Sequence, residues 1–205
     1  KLNIHIAKFD FDSSDVKSWE RYNTLLSVSK DLITSISREE LLAILRNISG
    51  IKDLGWGDLS SDVELSYFSE GVHKYVYKVQ FSLASGEKIN ILLAAKKEIN
   101  KRDISSHELN NLKKLNGRGV PKFAWSGVSS DGRRWYIEEF IEGETAKELM
   151  DKGSLTERMR RNIVATLLAI TVGLSGMAPR DIHGENFILR NGTGEAVMVD
   201  IGDTR

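Results

Sequence analysis

From Val63 onward the apolar residues of this 205-residue chain recur with a period of two, and that change of period limits the possible folds more than any other feature. Val63–Phe68, Tyr75–Leu83 and Lys88–Lys96 alternate as strands do, and Ala84-Ser85-Gly86-Glu87 joins the last two as a turn. Ser105–Leu115 switches to helical spacing, with Leu109, Leu112 and Leu115 on one side. Lys122–Val128 and Arg133–Phe140 flank Ser130-Asp131-Gly132 as a second hairpin. The pattern predicts a five-stranded antiparallel sheet with one helix inserted after its third strand. Thr145–Met150 then starts a helix, and Thr156–Leu174 reads as a long, strongly apolar one.

Residues 1–60 carry a different pattern. After a short alternating start (Leu2, Ile4, Ile6), the stretch Trp19–Ile48 places Leu25, Leu26, Val28, Leu32, Ile33, Ile36, Leu41, Leu42 and Leu45 at helical spacing. Ser37 followed by Glu40 is a capping-box pattern, so two helices meeting near Ser35–Ser37 are expected. Gly50–Ser61, rich in Gly, Ser and Asp, ends the unit. Three parts follow: an N-terminal helical extension at 1–60, a sheet-plus-helix lobe at 61–141 and a helical lobe at 142–205. The fold class is α+β.

Composition removes several functions. Lys+Arg and Asp+Glu both number 29, so no net positive field favours nucleic acid or an anionic membrane surface. The absence of cysteine rules out disulfides, thiolate metal sites and a thiol nucleophile. No apolar run reaches the roughly 18–20 residues of a membrane-spanning helix. The first residue is Lys1 rather than Met, which fits a processed or trimmed N-terminus.

The chemistry-bearing residues concentrate near the end of the chain. In Arg180-Asp181-Ile182-His183-Gly184-Glu185-Asn186 an Asp precedes an Asn by five residues, and a second Asp follows at Asp200-Ile201-Gly202. Between them, Phe187-Ile188-Leu189 and Ala196-Val197-Met198-Val199 are short strands around the turn Asn191-Gly192-Thr193-Gly194. Such a hairpin holds three polar groups at one edge, and hard oxygen donors are what Mg²⁺ takes beside phosphate oxygens. Upstream, strand alternation puts Ala94 and Lys96 on one face; a register one residue later would use Ala95 and Lys97 instead.

Taken in order, these segments resemble the protein-kinase-like superfamily over roughly residues 63–205. The resemblance implies a kinase-type fold with a five-stranded N-lobe, a strongly reduced helical C-lobe and the N-terminal extension, binding ATP with Mg²⁺. It implies that Asp181 orients the attacking hydroxyl and accepts its proton, with Arg180 beside it, and that Asn186 and Asp200 hold metal. Lys96 would reach the α/β-phosphates, paired with Glu108 on the inserted helix; Glu98 is a poorer partner, too near in the same strand. Ser69, Gly71 and Lys74 fall in the hairpin that lies over the phosphates, with Gly71 alone at a glycine position of that loop. Val76 and Ala94 would pack on adenine, and the Glu139 carbonyl and Ile141 amide would read its edge. Against the family pattern, Pro179 replaces a His, Ile201 replaces the Phe of Asp-Phe-Gly, and His183 stands where a catalytic-loop Lys is usual, as in aminoglycoside-phosphotransferase-like enzymes.

The match ends at Arg205, with no room for an activation segment or later helices. That implies a fragment, or a minimal kinase similar to bacterial effectors delivered into host cells. The expected function is a minimal Ser/Thr protein kinase acting on a protein substrate, in the cytoplasm or inside a host cell, constitutively active or activated by a partner protein. The alternatives are a small-molecule kinase, a nucleotidyl transferase and a nucleotide-binding pseudokinase or scaffold.

Overall fold

A computed structural model describes residues 2–5, 59–70, 74–83, 85–86, 88–96, 104–128, 134–202 and 204, with backbone alone at 2–5, 59–65, 67, 70, 83, 96 and 104–106. The helices expected within Trp19–Ile48, Gly71 of the hairpin loop, the alternative cation Lys97 and the alternative partner Glu98 lie outside the described residues. The chain divides into two compact units, Lys1–Lys101 with Ala124–Glu139 and Arg102–Phe123 with Phe140–Arg205.

The first unit is a sheet of β1 (Leu2–His5), β2 (Leu59–Glu70), β3 (Lys74–Leu83), β4 (Lys88–Lys96), β5 (Phe123–Val128) and β6 (Arg134–Glu139), in the order β1-β2-β3-β4-β6-β5. The five strands expected from the period-two pattern are present. A sixth joins them: β1 pairs parallel with β2, Leu2 opposite Val63 and Ile4 opposite Leu65. Residues 2–5 therefore belong to the sheet, and β2 starts at Leu59, inside the segment read as helical extension.

Register explains the alternation. Tyr77, Val79 and Phe81 of β3 lie opposite Leu93, Ile91 and Ile89 of β4, and Leu93 lies opposite Ile137 of β6. All seven are buried and share one face of the sheet, so their apolar surface leaves water together. Gly86, at φ +86°, supplies the left-handed turn that joins β3 to β4. A register shift at Tyr67/Ser69 in β2 leaves Phe68 and Ser69 exposed at its end.

The second unit holds α1 (Ile104–Leu115), α2 (Ala146–Asp151), α3 (Glu157–Gly173) and a small sheet of β7 (Gly143–Thr145), β8 (Phe187–Arg190) and β9 (Ala196–Met198). Its core gathers Leu112, Leu115, Val120, Ile170, Leu174, Phe187, Leu189, Val197 and Met198. Strand β7 is an addition to the sequence reading: Gly143–Thr145 pairs with Arg190–Ile188, and a Cβ on Gly143 would be driven into the Leu189 carbonyl. Thr145 then caps α2 in a reciprocal box. Its hydroxyl accepts from Glu148 N at 3.1 Å, and Glu148 Oε2 accepts from Thr145 N at 2.8 Å.

Helix α3 is apolar in composition but is held through polar side chains. Arg158, Asn162 and Thr166, one turn apart, donate to the carbonyls of Thr193, Gly194 and Ala196 at 2.8, 2.7 and 2.8 Å. Val164, Leu168 and Val172 form the opposite stripe and are exposed. Gly119, at φ +74°, permits close approach to this helix, since a Cβ there would lie 3.0 Å from Thr166 Cγ2. Among the described residues no helix is long and apolar enough to cross a membrane.

Candidate functional site

The two loops expected to carry chemistry meet at the open end of the β8–β9 hairpin. Phe187 lies opposite Met198, and beyond that pair Val199 N donates to Asn186 O at 2.9 Å. Asn186 therefore stands beside the strand leading directly into Asp200. A 3₁₀ turn at Gly184–Asn186, closed by Asn186 N donating to His183 O at 3.1 Å, folds the preceding loop back over the pair. Gly184 lets the turn pack closely on the start of α2, where a Cβ would lie 3.0 Å from the Lys147 main-chain nitrogen.

The Asn186 side chain, only 9% exposed, donates from Nδ2 to the main-chain oxygen of Asp181 at 3.0 Å and to its Oδ2 at 3.3 Å. His183 Nε2 lies 3.4 Å from the other carboxylate oxygen, Asp181 Oδ1. One Asp181 carboxylate oxygen is thus hydrogen-bonded and the other lies near an exposed His183, while the side chain remains open to solvent. Arg180 is exposed beside it, and Ile182 N donates to Arg180 O at 2.9 Å. In the second loop Gly202 N donates to Asp200 Oδ1 at 3.3 Å. Among the described residues Asn186 Oδ1 and Asp200 Oδ2 take no hydrogen bond. These are two hard oxygen donors, the number Mg²⁺ commonly takes from protein when phosphate and water complete its shell. Among the described residues no group of three or more His, Cys, Asp or Glu is placed to hold a metal alone.

In the first unit, register collects four expected residues on one face. Val76 lies opposite Ala94, Lys74 opposite Lys96, and Ala94 opposite Tyr136 on its other side. Val76, Ala94 and Tyr136 are buried there, and Lys74 Nζ donates to Tyr136 Oη at 3.3 Å. Ala95, the small residue of the alternative register, lies on the opposite face between Tyr75 and Trp135. Ser69 pairs with Val76 at the end of β2, and Glu139 closes β6 opposite Ile91.

Glu108 is 4% exposed on α1, and Ile141 is buried, both in the second unit. Sequence reasoning missed a further residue of α1, Asn111, buried one turn after Glu108 and bonded to Ile201 and Thr204. Its only sequence signal was the second amide of Asn110-Asn111, between Leu109 and Leu112. A cavity of about 530 Å³ opens at the opposite, turn end of the β8–β9 hairpin, lined by Leu149, Arg158, Met159, Arg190 and Thr193 among others. It includes none of the expected site residues.

No protein-family model matches the chain, and no curated protein sequence is significantly similar to it.

Proposed function

We propose that the chain is an ATP- and Mg²⁺-dependent phosphotransferase of the minimal protein-kinase-like kind, passing the γ-phosphate to a protein hydroxyl. One observation carries this reading: the Asp181 carboxylate bonded to Asn186, with Asn186 tied through Val199 N to the segment that leads from β9 into Asp200. The order of the antiparallel strands, with α1 between β4 and β5, and the shared face of Lys74, Val76, Ala94 and Lys96 support it.

The chain's own groups divide the work. Asp181, exposed, with one oxygen bonded by Asn186 and the other near His183, orients an acceptor hydroxyl and takes its proton. Asn186 Oδ1 and Asp200 Oδ2 are the oxygens that would hold Mg²⁺, which when bound neutralises charge on the phosphates. Lys96 would contact the same phosphates, with Glu108 orienting it. Val76 and Ala94 offer a flat apolar surface for a base, and the Glu139 carbonyl and Ile141 amide would read its edge. Little covalent chemistry is asked of the protein, so positioning and charge carry the rate.

His183 near Asp181 favours a second reading, a small-molecule acceptor, as in the enzymes that carry His at this place. Incubating the purified chain with Mg²⁺ and γ-labelled ATP, in a cell lysate and with a panel of small alcohols, separates the two. Label on protein supports the first reading and label on a small alcohol the second. Labelling from α-labelled ATP would instead mean nucleotidyl transfer. ATP binding without any transfer would leave a nucleotide-binding scaffold.

A further inference from the structure

Asn111 commits a buried amide to a main-chain carbonyl and a side-chain hydroxyl of one segment far away in sequence. From α1 its Nδ2 donates at 2.8 Å to the Ile201 carbonyl and at 3.1 Å to Thr204 Oγ1. A carbonyl only accepts, so the amide orientation is fixed by its partner. Ile201 directly follows Asp200, whose carboxylate is turned back onto Gly202 N. Thr204 forms an antiparallel bridge with Pro179, two residues before Asp181. One side chain therefore clasps the segment that carries Asp200 and, through Thr204, the segment that leads into Asp181.

Packing alone does not call for an amide at this position. Leu112, Leu115 and Ile201 are buried in the same unit, and an aliphatic residue would fill comparable space without the cost of burying a polar group. What an aliphatic residue cannot do is hold the Ile201 carbonyl in one direction, and the N–H at the other end of that peptide, on Gly202, is the group that donates to Asp200 Oδ1. Sequence distance adds to the point, since 90 residues separate Asn111 from Ile201.

We infer that Asn111 is a positioning residue for the divalent-cation site: it fixes the Asp200 loop against α1, so that a shift of α1 moves the Asp200 carboxylate. The inference rests on the proposed phosphotransferase reading, in which Asn186 and Asp200 are the metal oxygens.

Mn²⁺ is the probe, with free ion measured by electron paramagnetic resonance on the full chain in the presence of ATP. Asn111→Asp keeps the shape but faces the Ile201 carbonyl with a second acceptor. It is expected to weaken Mn²⁺ binding roughly 10- to 100-fold, the usual effect of losing a group that orients a metal ligand. ATP binding without metal should stay within about twofold of wild type, because Asn111 acts through the metal loop. Thr204→Val removes the weaker arm and should give a smaller loss in the same direction. It decides the matter if Asn111→Asp melts below the assay temperature. Folded variants that bind Mn²⁺ as wild type does, while Asp200→Ala does not, would overturn the inference and leave the phosphotransferase reading standing. A wild type whose Mn²⁺ binding is untouched by Asp200→Ala would overturn both.

Discussion

Replacing Thr166 by Val tests whether α3 is held to the hairpin by its polar ladder or by its apolar composition. Thr166 is buried and donates from Oγ1 to Ala196 O at 2.8 Å, in the strand that leads to Asp200. Valine keeps the shape, so no cavity opens; the buried carbonyl loses its donor, at a cost of about 1–3 kcal/mol. Burying a methyl in place of a hydroxyl returns about 0.8 kcal/mol, which leaves a net loss of about 0.2–2 kcal/mol. For a chain of this length that is a fall in melting temperature of up to about 8 °C. Thr166→Ser is the control: it keeps the donor and loses only the methyl facing Gly119, about 1 kcal/mol. Urea denaturation gives the stability change, and amide exchange at Val197 and Met198 locates it. Faster exchange in β9 for Val but not for Ser is expected. If Thr166→Val matches wild type in both measurements and Ser is the worse variant, the ladder is not what holds the helix.

Two other perturbations follow from local geometry. Gly119→Ala puts a Cβ at positive φ and 3.0 Å from Thr166 Cγ2, and should cost about 1–3 kcal/mol in denaturant titration; an unchanged midpoint would remove the close approach of residue 119 to α3. The Glu148 carboxyl is held below the ordinary glutamate range by the Thr145 main-chain N–H and then by the Thr145 hydroxyl, against an opposing desolvation, with the Lys152 charge adding the least. A lowered folded value means that its contribution is whole above the ordinary glutamate pKa and is lost as pH falls through the lowered one. The stability difference between wild type and Glu148→Ala should therefore be constant near neutrality and shrink below about pH 4; a difference that grows on acidification would contradict the capping box.

Legibility in the sequence depended on how local the determining contact was. Tyr77, Val79 and Phe81 alternate against Ile89, Ile91 and Leu93 across one short turn, so their strands could be read directly. Strand β1 could not, because its four residues gain meaning only by pairing with Val63–Ser66 some sixty positions away. Strand β7 was hidden in the same way, since Gly143–Thr145 carries no alternation and is defined by Ile188–Arg190. Helix α3 shows what a hydrophobic count omits: period and composition mark a helix but do not say that Arg158, Asn162 and Thr166 face the hairpin while Leu168 and Val172 face outward. At the site, the five-residue spacing of Asp181 and Asn186 was visible because one short turn closes it. Asn111 was not visible, because its partner is a main-chain carbonyl, which has no residue identity to read. His183 fell between these cases: its place was noted, but its 3.4 Å approach to Asp181 Oδ1 was not.

Asp181 is the residue on which the proposed transfer depends most directly. Single-turnover transfer of the γ-phosphate, at saturating Mg²⁺ and ATP, should be compared between wild type and Asp181→Asn. Loss of the proton acceptor with the side-chain shape kept should lower the rate roughly 10²- to 10⁴-fold while ATP binding stays as in wild type. A variant that transfers phosphate as fast as wild type, or a wild type that binds Mg-ATP and transfers none, would contradict the assignment of this chain as a phosphotransferase.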